Sequence, residues 1–149
     1  GWAFRRGPGP FRAGGDIQTA VTKEAVIEFM KELNGIRGAR PVTREELEYN
    51  KQSIIRRFPA GFETVGAIAS QLANLFVYDL PDNYFNEFIA KVNAVTIEDV
   101  DRVARRYLDP DKMAIVIVGD RKLIEPGLKQ IDKWGKAVYY LDSEGNPVQ

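Results

Sequence analysis

Acidic and basic side chains gather at two places in this sequence where they could act on one another. Glu45, Glu46 and Glu48 precede Lys51, and Asp99 and Asp101 precede Arg102 and Arg105. Paired carboxylates can divide the work of general acid and general base. Both groups, however, fall in the first turns of expected helices, where negative charge offsets the positive end of the helix dipole. Capping and dipole compensation account for them without any reaction. Ser53 and Ser70 lie on helices without a partner base, so neither reads as a nucleophile. Asp120 follows Val118-Gly119, a position where a nucleotide- or metal-binding acid can sit. No G-x-G-x-x-G accompanies it, and the next expected helix starts only at Ile124.

The chain of 149 residues has neither histidine nor cysteine. Disulfides, thiolate catalysis and thiolate metal ligation are excluded, and so are imidazole bases and imidazole zinc ligands. A metal site would have to be built from carboxylates, which suit magnesium or calcium better than zinc. No catalytic residue, no metal ligand and no cofactor is therefore assigned to this chain. Near the N-terminus, Trp2, Phe4 and Phe11 alternate with Arg5, Arg6 and Arg12 in a pattern that could stack bases. Lysine plus arginine balance aspartate plus glutamate at 21 each, so no net field draws nucleic acid, and packing against a sheet explains the cluster better. No apolar run approaches the ~20 residues that span a bilayer, and the N-terminus lacks a signal-peptide core.

The elements that would position these groups are organised around Ala94 to Asp120. Val100, Val103, Ala104, Tyr107 and Leu108 form one helical stripe. Thr96 and Asp99 have the spacing of a capping box, and Val95 and Val100 that of a hydrophobic staple. Asp109-Pro110-Asp111 stops the helix. Met113 to Val118 is apolar without alternation, which predicts a strand covered on both faces. Further helices are expected over Lys23 to Arg37, Arg44 to Arg57, Glu63 to Tyr78, Asn83 to Val92 and Ile124 to Ile131, the last with Pro126 in its first turn. Thr43 and Glu46 again spell a capping box, with Val42 and Leu47 as a staple. The third of these helices is the most regular, with Val65, Ile68, Ala69, Leu72, Leu75 and Phe76 on one face. Trp2-Ala3-Phe4 and Phe11 to Thr19 read as strands of a hairpin around a Gly/Pro turn, and Ala137 to Leu141 as a final strand before a Glu144-Gly145-Asn146 turn. The expected class is α+β, a mixed or antiparallel sheet with helices packed on one face, in a single domain over residues 1–149. The chain opens within a strand, as a fragment of something longer would.

The order of these segments resembles the pitrilysin/insulinase-like zinc metallopeptidases, including the mitochondrial processing peptidase relatives. The resemblance is carried by Gly9-Pro10-Phe11, Ile17-Gln18-Thr19, Val42-Thr43-Arg44-Glu45-Glu46-Leu47 with Lys51, Phe62-Glu63-Thr64, Leu80-Pro81 with Tyr84, Ala94 to Leu108, Val116-Val118-Gly119-Asp120, and the tail Leu141-Asp142 with Gly145-Asn146-Pro147. It implies a clamshell of homologous α+β domains, one bearing H-x-x-E-H and the other not. A chain without histidine matches the second kind, a non-catalytic domain at its C-terminal part. Zinc is then expected only in the partner catalytic domain, in the same polypeptide or a separate subunit, and the substrate is a peptide. The family's substrate-holding arginine and tyrosine match upstream of Gly1; a gapped match would place Phe4 at the tyrosine. The resemblance points to Trp2, Phe4, Arg5 and Phe11 as the wall facing substrate, and to a bacterial protein of the periplasm or cytoplasm. Self-association through the open hairpin edge is expected as well. The rival expectation is a structural or assembly module of the same fold with no peptidase role.

Overall fold

The computed structural model describes residues 1–3, 5–131 and 138–148. Among the described residues six α-helices follow in chain order: α1 (Thr22–Gly35), α2 (Arg44–Arg57), α3 (Val65–Val77), α4 (Tyr84–Ala94), α5 (Ile97–Tyr107) and α6 (Arg121–Leu128). Three short 3₁₀ segments, Thr19–Val21, Phe58–Phe62 and Pro110–Lys112, join them. The chain divides into two compact units, Gly1–Ala13 with Asn34–Asp109, and Gly14–Leu33 with Pro110–Gln149.

In the first unit the helix starts follow the sequence closely. The Thr43 hydroxyl accepts from the Glu46 N–H at 3.2 Å, and the Glu46 carboxylate accepts from the Thr43 N–H at 2.9 Å. The same reciprocal box joins Thr96 and Asp99 at the start of α5, at 3.2 Å in both directions. Each satisfies two amides that no helical carbonyl can reach. Thr64 caps α3 by accepting from the Ala67 N–H at 3.1 Å. Leu47 is buried one turn into α2, and Ala104 and Leu108 are the buried members of the α5 stripe. Val100 is half-buried, and Val103 and Tyr107 are exposed. Between α2 and α3 the 3₁₀ segment brings Phe58 and Phe62 against α4. Phe58 stacks on Phe88 with ring centroids 4.6 Å apart, and Phe62 meets Phe85 edge-on at 5.2 Å. This aromatic cluster binds α2, the 3₁₀ segment and α4 together.

In the second unit α6 packs along the start of α1. Lys23 Nζ donates to Gln130 Oε1 at 2.7 Å, and Gly127 lies so close that a β-carbon there would sit 3.4 Å from the Lys23 Cβ. Val26, Met30, Pro110 and Ile131 are buried. The chain ends in a turn at Gly145, whose φ of 85° suits glycine, closed by an antiparallel bridge between Leu141 and Pro147. The expected Glu144-Gly145-Asn146 turn is present.

The expected α+β class is overturned: the protein is all-helical, and among the described residues extended pairing is limited to two isolated bridges, Trp2 with Phe11 and Leu141 with Pro147. Met113 to Val118 forms no ladder, and Val116 and Val118 are 84% and 94% exposed instead of covered. The reason is that a strand is stabilised by its neighbours rather than by its own propensity. Of the possible neighbours, Phe11 to Thr19 pairs only at Phe11, and Val138 to Leu141 only at Leu141. Phe4 and Ala137, which the expected strands included, lie outside the described residues. Two helix details also differ. α6 begins at Arg121, directly after Asp120, so Pro126 lies in its interior rather than its first turn. α3 turns Ala67, Gln71, Asn74 and Leu75 inward and leaves Val65, Ile68, Ala69, Leu72 and Phe76 exposed, so Leu75 alone of the face its apolar periodicity marks is turned inward.

Candidate functional site

The Gly/Pro cluster Gly7-Pro8-Gly9-Pro10 folds the chain back so that Trp2 and Phe11 face each other across an antiparallel bridge. The Ala3 N–H donates to the Pro10 carbonyl at 3.0 Å and the Arg12 N–H to the Gly1 carbonyl at 2.9 Å. Gly9 permits this approach, since a β-carbon there would fall 1.8 Å from the Ala3 carbonyl oxygen. The Trp2 and Phe11 rings lie 5.1 Å apart at 57°. Of the four residues expected to face substrate, the structure thus joins Trp2 and Phe11, leaves Arg5 exposed on the turn, and does not describe Phe4.

One member of the cluster was not foreseen. Tyr107, at the end of α5, meets Trp2 edge-on with ring centroids 6.1 Å apart, and the Arg106 guanidinium lies 5.1 Å from the Tyr107 centroid. In the sequence Tyr107 counts as one more apolar position on the α5 stripe. Its phenol being half open to solvent is decided by where the hairpin lands. The result is a partly exposed aromatic surface, with Trp2 and Tyr107 each more than half exposed and the Arg106 guanidinium beside Tyr107. Such a surface can hold apolar or aromatic side chains and acidic groups of an extended peptide.

Elsewhere several ionisable groups hold structural positions. Glu46 is held below the usual carboxylate range by the Thr43 backbone N–H, and Asp99 by its hydrogen bond from Arg102. Both are helix caps, as their positions imply. Asp120 accepts from the Lys122 N–H at 2.9 Å and caps α6, so its carboxylate already fills the place an anion would take at that helix end. On α6, Glu125 accepts from Arg121 at 2.7 Å and pairs with Lys129, while the Arg121 guanidinium lies 3.6 Å from the centre of the Tyr140 ring. The Lys129, Arg121 and Tyr140 hydrogen bonds, in that order, pull the Glu125 carboxyl down to about 2. This network ties the C-terminal segment to α6. Among the described residues no group of three acidic side chains converges as a metal site would require. No helix among them is long and apolar enough to cross a membrane.

What the hairpin and α5 define is a helical unit with an exposed aromatic and cationic face. No protein-family model matches the chain, and neither a curated protein nor a solved structure matches it.

Proposed function

We propose that this chain is the non-catalytic partner half of a zinc-dependent metallopeptidase, helping to enclose and bind a peptide substrate. The observation that carries the reading is the ordered run of motifs from Gly9-Pro10-Phe11 to Val118-Gly119-Asp120 in a chain without imidazole. The aromatic surface of Trp2, Phe11 and Tyr107 supports it, because a peptide side chain would find there both apolar contact and a neighbouring cation, Arg106. In this division of labour the metal and the glutamate base belong to an H-x-x-E-H domain, which supplies the activation of water. This chain contributes binding surface and excludes solvent. The hairpin remains the edge at which a second extended segment would pair.

The test is to purify an H-x-x-E-H domain encoded in the same polypeptide or beside it and assay a fluorogenic peptide with and without this chain. Cleavage is expected only when both are present, with KM raised several-fold by Trp2→Ala. Equal cleavage with and without this chain would overturn the proposal. The reading as an assembly module is favoured by one observation, the uncovered apolar side of α3.

A further inference from the structure

Gly1–Ala13 carries three arginines, Arg5, Arg6 and Arg12, and no acid, in a chain whose net charge is zero. Arg105 and Arg106 precede Tyr107 in the last turn of α5, which the hairpin meets through Trp2. All five are exposed, and among the described residues none is paired with an acid. Lys31, Lys91, Arg102 and Lys129, by contrast, each pair with an acid one turn away. Within the same compact unit the acids closest to the five in sequence are Asp101, one turn before Arg105, and Asp109, just past the end of α5. Five cations against two acids leave a surplus of three positive charges. Arg12 adjoins Phe11, and Arg5 is three residues from Trp2, a span of at most ~11 Å, about one Debye length.

We infer that the peptide held on this surface is acidic: an aromatic or aliphatic side chain packs against Trp2 and Tyr107 while neighbouring carboxylates are drawn to Arg106 and the arginines of the hairpin. The inference rests on the peptide-binding reading above and gives it a substrate class. Charge selects the sign, and geometry selects the group. The Arg106 guanidinium lies over the Tyr107 ring, 5.1 Å from its centre. A guanidinium held by its face keeps its N–H donors in plane, the fork that grips a carboxylate with two bonds. No lysine occurs in Gly1–Ala13 or in α5, so every cation concerned has that fork. Nucleic acid and lipid fit less well. Trp2 stands at 57° to Phe11 and at 83° to Tyr107, so the rings offer no parallel faces to successive bases. The same contacts tie Trp2 back onto the protein, whereas a side chain that anchors in lipid projects from it.

Fluorescence anisotropy with the whole chain tests this on labelled peptides of equal length, each with one phenylalanine flanked by glutamate, glutamine or lysine. The glutamate peptide is expected to bind about tenfold tighter than the glutamine one and the lysine peptide most weakly, with the preference shrinking as salt rises. Arg106→Glu and Arg12→Glu should each weaken the glutamate peptide about fivefold and strengthen the lysine peptide, whereas Arg56→Glu on α2 changes neither. A gain for the lysine peptide is something that misfolding does not produce. Equal affinity for the three peptides, or a preference for lysine, overturns the inference and leaves the peptide-binding reading standing. Binding of no peptide overturns it as well, and the cleavage assay with the H-x-x-E-H domain then decides that reading separately. Tighter binding of oligothymidine or of phosphatidylserine vesicles than of the glutamate peptide overturns it in favour of nucleic acid or lipid.

Discussion

Lys51 Nζ donates to the Asn93 carbonyl oxygen at 3.0 Å, joining the middle of α2 to the last turn of α4. The two residues are 42 positions apart in sequence. Carbonyls in a last helical turn have no amide ahead of them and carry the negative end of the dipole, so an ammonium is well placed there. Lys51 is the one buried charged residue among those described, at 8% exposure, and Glu48 Oε1 lies 3.3 Å from the same nitrogen. Its methylene stem fills space between the helices while its head satisfies both acceptors.

Replacing Lys51 by methionine keeps the packing and removes the donor. The loss of a charge-assisted hydrogen bond to a half-covered carbonyl should cost about 1–3 kcal/mol, and Lys51→Ala, which also leaves a void, should cost more. Urea unfolding of the two variants measures both, and equal stability of Lys51→Met and wild type would show that the contact contributes nothing.

Thr43→Ala and Thr96→Ala each remove the hydroxyl of a capping box. Each should destabilise the protein by ~1 kcal/mol, with serine at either position retaining most of the stability. Thermal unfolding followed by circular dichroism would show the ordering alanine below serine below or equal to threonine.

The Glu125 carboxyl is depressed from its ordinary 4.5 to about 2 by Lys129, Arg121 and Tyr140. A group whose folded pKa lies below its unfolded one adds stability that is fully present above the unfolded value. That stability drains away as pH falls from about 4.5 toward 2, because the unfolded chain takes up the proton first. Glu125→Gln should therefore flatten the acid limb of the stability profile in that window and lower stability at neutral pH. An unchanged acid limb would remove Glu125 from the account.

Gly9→Ala forces a β-carbon onto the Ala3 carbonyl oxygen. The hairpin should open, and amide hydrogen exchange at Ala3 and Arg12, slowed in the wild type by their bonds to Pro10 and Gly1, should rise toward the rate of an unstructured peptide. The helical content should stay the same, since the caps of α2, α3, α5 and α6 do not involve the hairpin.

Elemental analysis of the isolated chain after mild chelation should find no stoichiometric zinc, and the chain alone should hydrolyse no peptide. One zinc per chain, or hydrolysis by contaminant-free material, would contradict the proposed division of labour.

The helix starts were legible because a cap is a local device. Thr43 with Glu46 and Thr96 with Asp99 satisfy amides within one turn of themselves, so residue spacing alone determined where α2 and α5 begin. The hairpin turn was legible for the same reason, through Gly9 and its proline neighbours. The aromatic surface was half legible: Trp2 and Phe11 are close in sequence, whereas Tyr107 joins them only through the packing of α5. Strands and helix faces depend on distant partners. Met113 to Val118 has the composition of a buried strand, yet a ladder needs a second segment at hydrogen-bonding distance, and tertiary structure alone decides whether one arrives. The outward side of α3 was decided in the same way. Its apolar periodicity marks a face to be buried, yet the side that turns inward is the one that sets Gln71 beside Gly61. Periodicity says which side of a helix resists water; which neighbour covers it is written in the rest of the fold.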